Sequence, residues 1–123
     1  MDIGKRTGTR IVVVEDESLV SMLLEDMLDD LGYRVAAAVG TLAEAREAAA
    51  SGDFQAAILD VNVDGEQIFP VADILAKRNL PFVFVTGYGE GSLPDTYRSR
   101  PALQKPFQAD RLKAMLDGLL PAA

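Results

Sequence analysis

Three carboxylates in this chain stand where apolar, strand-like runs end. Glu15 and Asp16 follow the run IVVV in RIVVVEDES, and Asp60 ends the run AAILD. Thr86 ends a third run, PFVFVT, and Lys105 lies in the last one, ALQKPF. The carboxyl ends of parallel strands share one edge of a sheet, and ligands of open α/β sheets bind at that edge. We therefore predict that these five side chains line a single polar pocket.

The chemistry of such a pocket follows from its charges. Two carboxylates 4 Å apart repel each other by about 4 kcal/mol at an effective dielectric constant near 20. The chain has no histidine and no cysteine, so a metal that relieves this repulsion must be bound by oxygen. Mg²⁺ fits best, because it takes one or two carboxylates together with water and phosphate oxygens. A lysine and a hydroxyl beside Mg²⁺ favour phosphoryl transfer, with a carboxylate as the nucleophile.

The apolar runs also predict the fold that must position these residues. Five runs are predicted strands, and helical patterns lie between them: RIVVV, RVAAAV, AAILD, PFVFVT and ALQKPF. The alternation of strands and helices predicts an α/β domain with a parallel sheet. We expect a flavodoxin-like (βα)5 fold, doubly wound, with the five strands in the order 2-1-3-4-5.

The helical segments differ in how well their patterns are formed. The first is predicted to bury one stripe, consisting of Leu19, Met22, Leu23, Met27 and Leu31. The third is predicted to bury Ile68, Val71, Ala72 and Leu75, and the last to bury Leu112, Met115, Leu116 and Leu119. The segment GYGEGSLPDTYRSRP, where a fourth helix is due, has three glycines, two prolines and little periodicity. That helix is therefore predicted to be short or mobile.

Length and charge limit the possible functions. The chain of 123 residues is long enough for one domain with its own core, and its formal net charge is −7. Such a charge predicts no nucleic-acid partner, because the phosphate backbone is also negative. Residues 1–9 carry no apolar stretch and are predicted to be a disordered lead-in before a domain at 10–121. No apolar run is long enough to span a membrane, so we expect a cytoplasmic protein.

Taken together and in order, the strand-end motifs resemble the receiver domains of two-component response regulators. They are VVVEDE, LDVN, VTG and KPF, and the resemblance extends from Arg10 to about Leu120. It implies that Asp60 accepts the phosphoryl group, a transfer in which the chain acts as a phosphoacceptor rather than an enzyme. The phosphodonor is expected to be a sensor histidine kinase or a histidine phosphotransfer protein.

The same resemblance implies a role for each remaining residue of the pocket. Glu15 and Asp16 match the acidic pair that binds Mg²⁺, together with Asp60 and the backbone carbonyl of Asn62. Thr86 matches the hydroxyl that contacts the phosphoryl group. Lys105 matches the lysine that pairs with it, and its bond to the following proline is often cis in this family.

Some features depart from the common receiver pattern. Ala102 occupies the position, three residues before Lys105, where the family usually has an aromatic ring. The run FVTGY resembles a subgroup of single-domain receivers with a Phe-x-Thr-Gly-Tyr motif, which predicts a stand-alone receiver acting through protein contacts or as a phosphate sink or relay. Two alternatives remain at this point: a pseudo-receiver that binds without being phosphorylated, and a phosphatase of the haloacid dehalogenase type, suggested by DVN after a strand.

Overall fold

The computed structural model of the chain describes residues 8–87 and 93–120. In chain order its elements are β1 (Arg10–Val14), α1 (Ser18–Asp30), β2 (Arg34–Val39), α2 (Leu42–Ser51), β3 (Ala56–Asp60), β4 (Asn62–Val63), β5 (Glu66–Gln67), α3 (Phe69–Lys77), β6 (Phe82–Thr86), a 3₁₀ helix (Asp95–Tyr97), β7 (Ala102–Gln104) and α4 (Ala109–Leu119). None of the helices in these two ranges has the length and apolar character that crossing a membrane requires.

The main sheet has five strands in the order β2-β1-β3-β6-β7, and every neighbouring pair is parallel. This confirms the predicted flavodoxin-like order, because these five strands are the first to fifth of the sheet along the chain. The order reverses between β1 and β3, which defines the switch point of the fold. The carboxyl ends of β1, β3, β6 and β7 consequently lie side by side at one edge.

Alternate residues of each central strand point to opposite faces of the sheet, and each face is covered by helices. On one face Val12, Leu59 and Phe84 pack against α2 and α3. On the other, residues such as Ile11 and Val85 pack against α1 and α4. The strands β1, β3 and β6 are buried almost throughout, which explains why their sequences are continuously apolar rather than alternating.

Helix α1 buries only part of the stripe predicted for it. Leu24 and Leu28 are its fully buried residues, whereas Leu19, Met22 and Leu23 are 81%, 58% and 47% exposed. The prediction was right for Met27 and Leu31, which are partly buried against the core, and wrong for the other three residues. The reason is that α1 has two overlapping apolar stripes, and only its packing on the sheet selects one of them. For α3 and α4, which have a single stripe each, the predicted residues are buried or partly buried in the two core clusters.

A single 3₁₀ turn, Asp95–Tyr97, occupies the described part of the connection between β6 and β7. The prediction of a short fourth helix is confirmed for these residues. Tyr97 is buried there at 4% exposure. Tyr88, the last residue of the Phe-x-Thr-Gly-Tyr motif, and most of the predicted lead-in at 1–9 lie outside the described residues.

The segment after Asp60 forms a small hairpin that we did not predict. Strands β4 and β5 pair in antiparallel fashion, and Asp64 and Gly65 between them have φ values of 52° and 79°. Two left-handed residues in a two-residue turn match the right-handed twist of the flanking strands, and Asp-Gly is a preferred pair for it. The Asp64-Gly65 dipeptide therefore favours a hairpin. The strands on either side have only two residues each, too few for an alternating apolar pattern to indicate them.

Candidate functional site

The predicted pocket residues are positioned by the ends of four strands of the main sheet. Glu15 and Asp16 directly follow β1, Asp60 is the last residue of β3, and Thr86 is the last residue of β6. Lys105 directly follows β7, and its backbone N–H donates to the carbonyl of Thr86 at 2.8 Å. The bond from this lysine to the following proline is cis, as the resemblance implied.

Lys105 joins two buried carboxylates at the centre of this pocket. Its ammonium nitrogen lies 2.9 Å from Asp60 Oδ2 and 2.9 Å from Glu15 Oε1, and 3.6 Å from Glu17 Oε1. Asp60 and Glu15 are only 3% and 4% exposed. Because burial removes most of the screening by water, the lysine holds both acids strongly. Glu17 was not predicted as a pocket residue; its position two residues after Glu15 is the signal that we missed.

The pocket contains more negative than positive charge. Burial raises the pKa of Glu15 to about 7, and the nearby Asp60 carboxylate acts in the same direction, against the opposing effects of the Glu17 N–H and Lys105. Burial alone would lower the pKa of Lys105, but its interactions with Glu15 and Asp60 outweigh burial and raise it above the ordinary value. The Lys105 ammonium therefore stays charged, while the Glu15 carboxylate is partly protonated near neutral pH.

The acidic residues also form a cluster with the spacing of a metal site. One oxygen each of Glu15, Asp16 and Asp60 lie within 4.8 Å of one another. Glu15 Oε2 accepts from the Glu17 N–H at 3.0 Å. Oε1 is buried and, within residues 8–87 and 93–120, accepts no hydrogen bond, although the Lys105 ammonium lies 2.9 Å from it. A buried oxygen in that condition is a ready ligand for a hard cation.

Backbone N–H groups of the segment after Asp60 donate hydrogen bonds to two acids of the cluster, Asp60 and Asp16. The Asn62 N–H donates to Asp60 Oδ1 at 3.3 Å, and the Asp64 N–H donates to Asp16 Oδ2 at 2.9 Å. The second bond is a consequence of the hairpin and could not be predicted from the spacing of the side chains. It ties the hairpin, and through it the start of α3, to the acidic pocket.

Comparison with known proteins identifies the family. Residues 11–117 match the response regulator receiver domain. The chain belongs to this family. Receiver domains are the phosphate-accepting parts of two-component signalling systems, and this membership removes the support for the haloacid dehalogenase alternative.

Several relatives share both sequence and fold with this receiver. It is 33% identical to the phyllosphere-induced regulator PhyR of Methylorubrum extorquens over an alignment of 124 residues. This alignment covers 97% of this chain and 46% of PhyR. It is 45% identical to SdrG from Sphingomonas melonis Fr1, with a TM-score of 0.84 over 93% of this chain and 98% of the SdrG chain. The BeF3-activated conformation of SdrG, from Pseudomonas melonis Fr1, is 44% identical with a TM-score of 0.76, over 94% of this chain and 99% of that one. The receiver spans about half the length of the curated relatives it matches.

Proposed function

We propose that this chain is a stand-alone receiver in which Asp60 accepts a phosphoryl group from a phosphohistidine. The donor is a sensor histidine kinase or a histidine phosphotransfer protein. The observation that carries the proposal is the position of Lys105, whose ammonium lies 2.9 Å from both Asp60 Oδ2 and Glu15 Oε1. A buried carboxylate nucleophile beside a fixed cation, at the carboxyl edge of a parallel sheet, is what transfer of a phosphoryl group to an aspartate needs.

The transfer uses the side chains of this pocket in distinct ways. A carboxylate oxygen of Asp60 attacks phosphorus while the bond from phosphorus to the donor histidine nitrogen breaks, and that nitrogen keeps the electron pair. Lys105 holds its positive charge beside Asp60, where negative charge on the phosphoryl oxygens gathers. Thr86, at the end of the adjacent strand β6, supplies a hydroxyl that donates to the same oxygens.

The donor set of the pocket fits Mg²⁺. Glu15 Oε1 is buried and has no hydrogen bond among the residues that the structure describes. Glu15 also belongs to the three-acid cluster whose oxygens lie within 4.8 Å of one another. We assign Glu15, Asp16, Asp60 and the backbone carbonyl of Asn62 as the groups that hold the ion. When bound, Mg²⁺ supplies positive charge that offsets the carboxylates and the phosphoryl oxygens.

Intact mass measurement tests the proposed function. The protein is incubated with a small-molecule phosphodonor such as acetyl phosphate, with Mg²⁺ or with a chelator in its place. We expect a gain of one phosphoryl group with Mg²⁺, and a gain at least about tenfold slower without it, because the acids are then uncompensated. A mass that does not change in Mg²⁺, under conditions where Mg²⁺ binding is observed by NMR titration, contradicts the proposed function and favours the pseudo-receiver.

The exposed apolar residues of α1 define the surface that meets the phosphodonor. Leu19, Met22 and Leu23, here called the α1 patch, lie in the first turns of the helix that follows Glu15 and Asp16. A groove beside the patch is lined by the acidic pair and Met22 on one side and by Ala38 to Gly40 on the other. The rest of α1 is acidic, with Glu25, Asp26, Asp29 and Asp30. The patch therefore fits a partner helix with an apolar stripe and a basic rim.

Replacing both Leu19 and Met22 by serine should separate the two kinds of phosphodonor. We expect phosphotransfer from a kinase to slow by about tenfold or more, because a few residues near the centre of an interface contribute most of its binding energy. Phosphorylation by acetyl phosphate should be unchanged, since neither side chain supplies a carboxylate, a hydroxyl or an ammonium to the phosphoryl site. The measurement uses the purified sensor kinase that phosphorylates the parent protein fastest.

The control for this double variant is Ala50→Ser, an exposed change on α2. It should leave both rates at the parent value. Equal slowing with the kinase and with acetyl phosphate would show that the double variant damages the pocket, and no slowing with the kinase would show that the α1 patch is not the docking surface.

A further inference from the structure

A groove of about 450 Å³ lies at the amino edge of the main sheet, opposite to the edge that holds the acidic pocket. It is formed by the end of α3 and its connection to β6, by the segment before β7, and by the end of α4. The residues that line it are Ala76, Asn79, Leu80, Pro81, Arg100 and Leu119. Its volume falls within the range of small-molecule sites, about 300–1,000 Å³.

The lining of this groove is apolar apart from two side chains. Ala76, Leu80, Pro81 and Leu119 present alkyl groups and are partly buried. Asn79 is exposed and ends α3 in a left-handed conformation, with φ of 57°. Among the described residues, none of those that line the groove is acidic, although the chain as a whole has a net charge of −7. The groove therefore suits an apolar ligand, and the only charge that its described lining offers is positive.

That charge belongs to Arg100. Its guanidinium carbon lies 4.6 Å from the centroid of the Phe82 ring, which is fully buried. This separation is within the limit of about 6 Å for a cation–π contact, which holds one face of the guanidinium plane. The backbone of Arg100 is also fixed, because its N–H donates to the Tyr97 carbonyl at 3.0 Å and because Pro101 follows it.

The N–H donors of this guanidinium have no acceptor within residues 8–87 and 93–120. By contrast, Arg98, two residues earlier, is paired with Asp95. A guanidinium carries five N–H donors along the edge of its plane, and it binds a carboxylate through two parallel hydrogen bonds. The contact with Phe82 uses the face of the Arg100 guanidinium and not this edge. The donors therefore remain available to a ligand in the groove.

The ends of α3 and α4 give a second reason for a cation at this place, because the end of a helix carries partial negative charge. Lys77, in the last turn of α3, already supplies positive charge there. The last carbonyls of α3 also accept the N–H groups of Arg78, Asn79 and Leu80. Stabilisation of the helix ends consequently does not explain why the donor edge of Arg100 is left without a partner.

We propose that this groove binds a small amphipathic carboxylate, such as a fatty acid of medium length. The carboxylate accepts two hydrogen bonds from the Arg100 guanidinium, and the apolar tail lies along Leu80, Pro81 and Leu119. The charge and the tail act together, since the one fixes the orientation of the ligand and the other removes apolar surface from water. The inference does not rest on the proposed function, because the groove and Asp60 lie at opposite edges of the sheet.

NMR titration of the ¹⁵N-labelled protein with octanoate tests the site. The informative signals are the backbone amides of Asn79, Leu80 and Arg100, together with the Nε–H of the Arg100 side chain. We expect these signals to shift in a saturable way, with a dissociation constant of about 1 mM or lower for a ligand of this size. The titration contains no Mg²⁺ and no phosphodonor, so its result is independent of the phosphoryl-acceptor function.

A neutral ligand with the same tail measures what the charge contributes. 1-Octanol cannot accept two parallel hydrogen bonds from a guanidinium, and it carries no charge. We therefore expect it to bind the parent protein at least about tenfold more weakly than octanoate does. Equal affinities for the two ligands would overturn the proposal, and this comparison requires no variant to fold.

Matched arginine variants locate the charge. Arg100→Gln should weaken octanoate binding at least about tenfold, because the amide offers fewer donors and no charge. Arg98→Gln removes the same charge from an exposed arginine on the same connection, and should bind octanoate as the parent does. Leu119→Ser keeps Arg100 and shortens the apolar lining, so it should weaken binding several-fold.

Three results would overturn the proposed site. The first is the absence of saturable shifts at the groove signals in the parent protein. The second is an affinity for octanoate that is the same in Arg100→Gln as in the parent. The third is an equal loss of affinity in Arg98→Gln and Arg100→Gln, which would show that octanoate responds to the general charge of the connection.

Discussion

Asp60→Asn is expected to abolish phosphorylation of this protein. The substitution keeps the size of the side chain and removes the nucleophilic carboxylate, since a neutral amide oxygen does not attack a phosphoryl group at a comparable rate. Loss of a nucleophile lowers a rate by a factor on the order of 10³ or more. Intact mass after incubation with Mg²⁺ and acetyl phosphate should therefore show no gain of a phosphoryl group over the time in which the parent is fully modified.

The matched control for this change is Asp64→Asn. Asp64 lies in the hairpin directly after β3, is exposed, and contributes its backbone N–H rather than its carboxylate to the pocket. Asparagine also tolerates the left-handed backbone found there, with φ of 52°. Phosphorylation of this variant should match the parent. If Asp60→Asn still gains a phosphoryl group, the acceptor is another residue and the assignment is wrong.

Lys105→Met is expected to lower the rate of phosphorylation about 10²- to 10³-fold, the usual cost of removing one fixed group that stabilises a transition state. The ammonium lies 2.9 Å from Asp60 Oδ2, so it is beside the oxygens on which charge gathers during transfer. Affinity for Mg²⁺ should stay equal or rise, because Glu15 and Asp60 no longer share their oxygens with a cation. Slow phosphorylation together with intact metal binding would assign Lys105 to the transfer step. A joint loss of both would show that the lysine only maintains the fold of the pocket.

The same variant should reveal the charge balance of the pocket through its stability. Without Mg²⁺, loss of the cation leaves two buried carboxylates uncompensated, and we expect the free energy of unfolding to fall by about 2 kcal/mol. The decrease is smaller than for many buried pairs because Glu15, whose pKa is raised to about 7, can take up a proton. Saturating Mg²⁺ should restore most of the lost free energy of unfolding. Lys113→Met, which breaks an exposed pair with Asp117 on α4, should cost less than about 1 kcal/mol and should not respond to Mg²⁺.

The sequence alone determined the sheet and the order of the pocket residues. Strands β1, β3 and β6 are buried on both faces, so each is a continuous apolar run that only a covered parallel sheet explains. Once the strands are known, right-handed crossovers leave few possible strand orders. Because the strands of the main sheet are parallel, the residues at their carboxyl ends lie along one edge of that sheet. Glu15, Asp60 and Lys105 could therefore be grouped before any distance was known.

Only the tertiary structure decided those features of the protein that local sequence patterns leave open. Helix α1 has two apolar stripes, and contact with the sheet buried Leu24 and Leu28 while it left Leu19 in solvent. The distances from Lys105 to two acids depend on the register of β7 on β6, which no spacing along the chain encodes. Tyr97 lies in a segment without periodicity, and only the folded structure packs its ring against Phe84 of β6 and Phe69 of α3. Such features arise from contacts between residues far apart in the chain, which is the physical reason that the sequence pattern could not supply them.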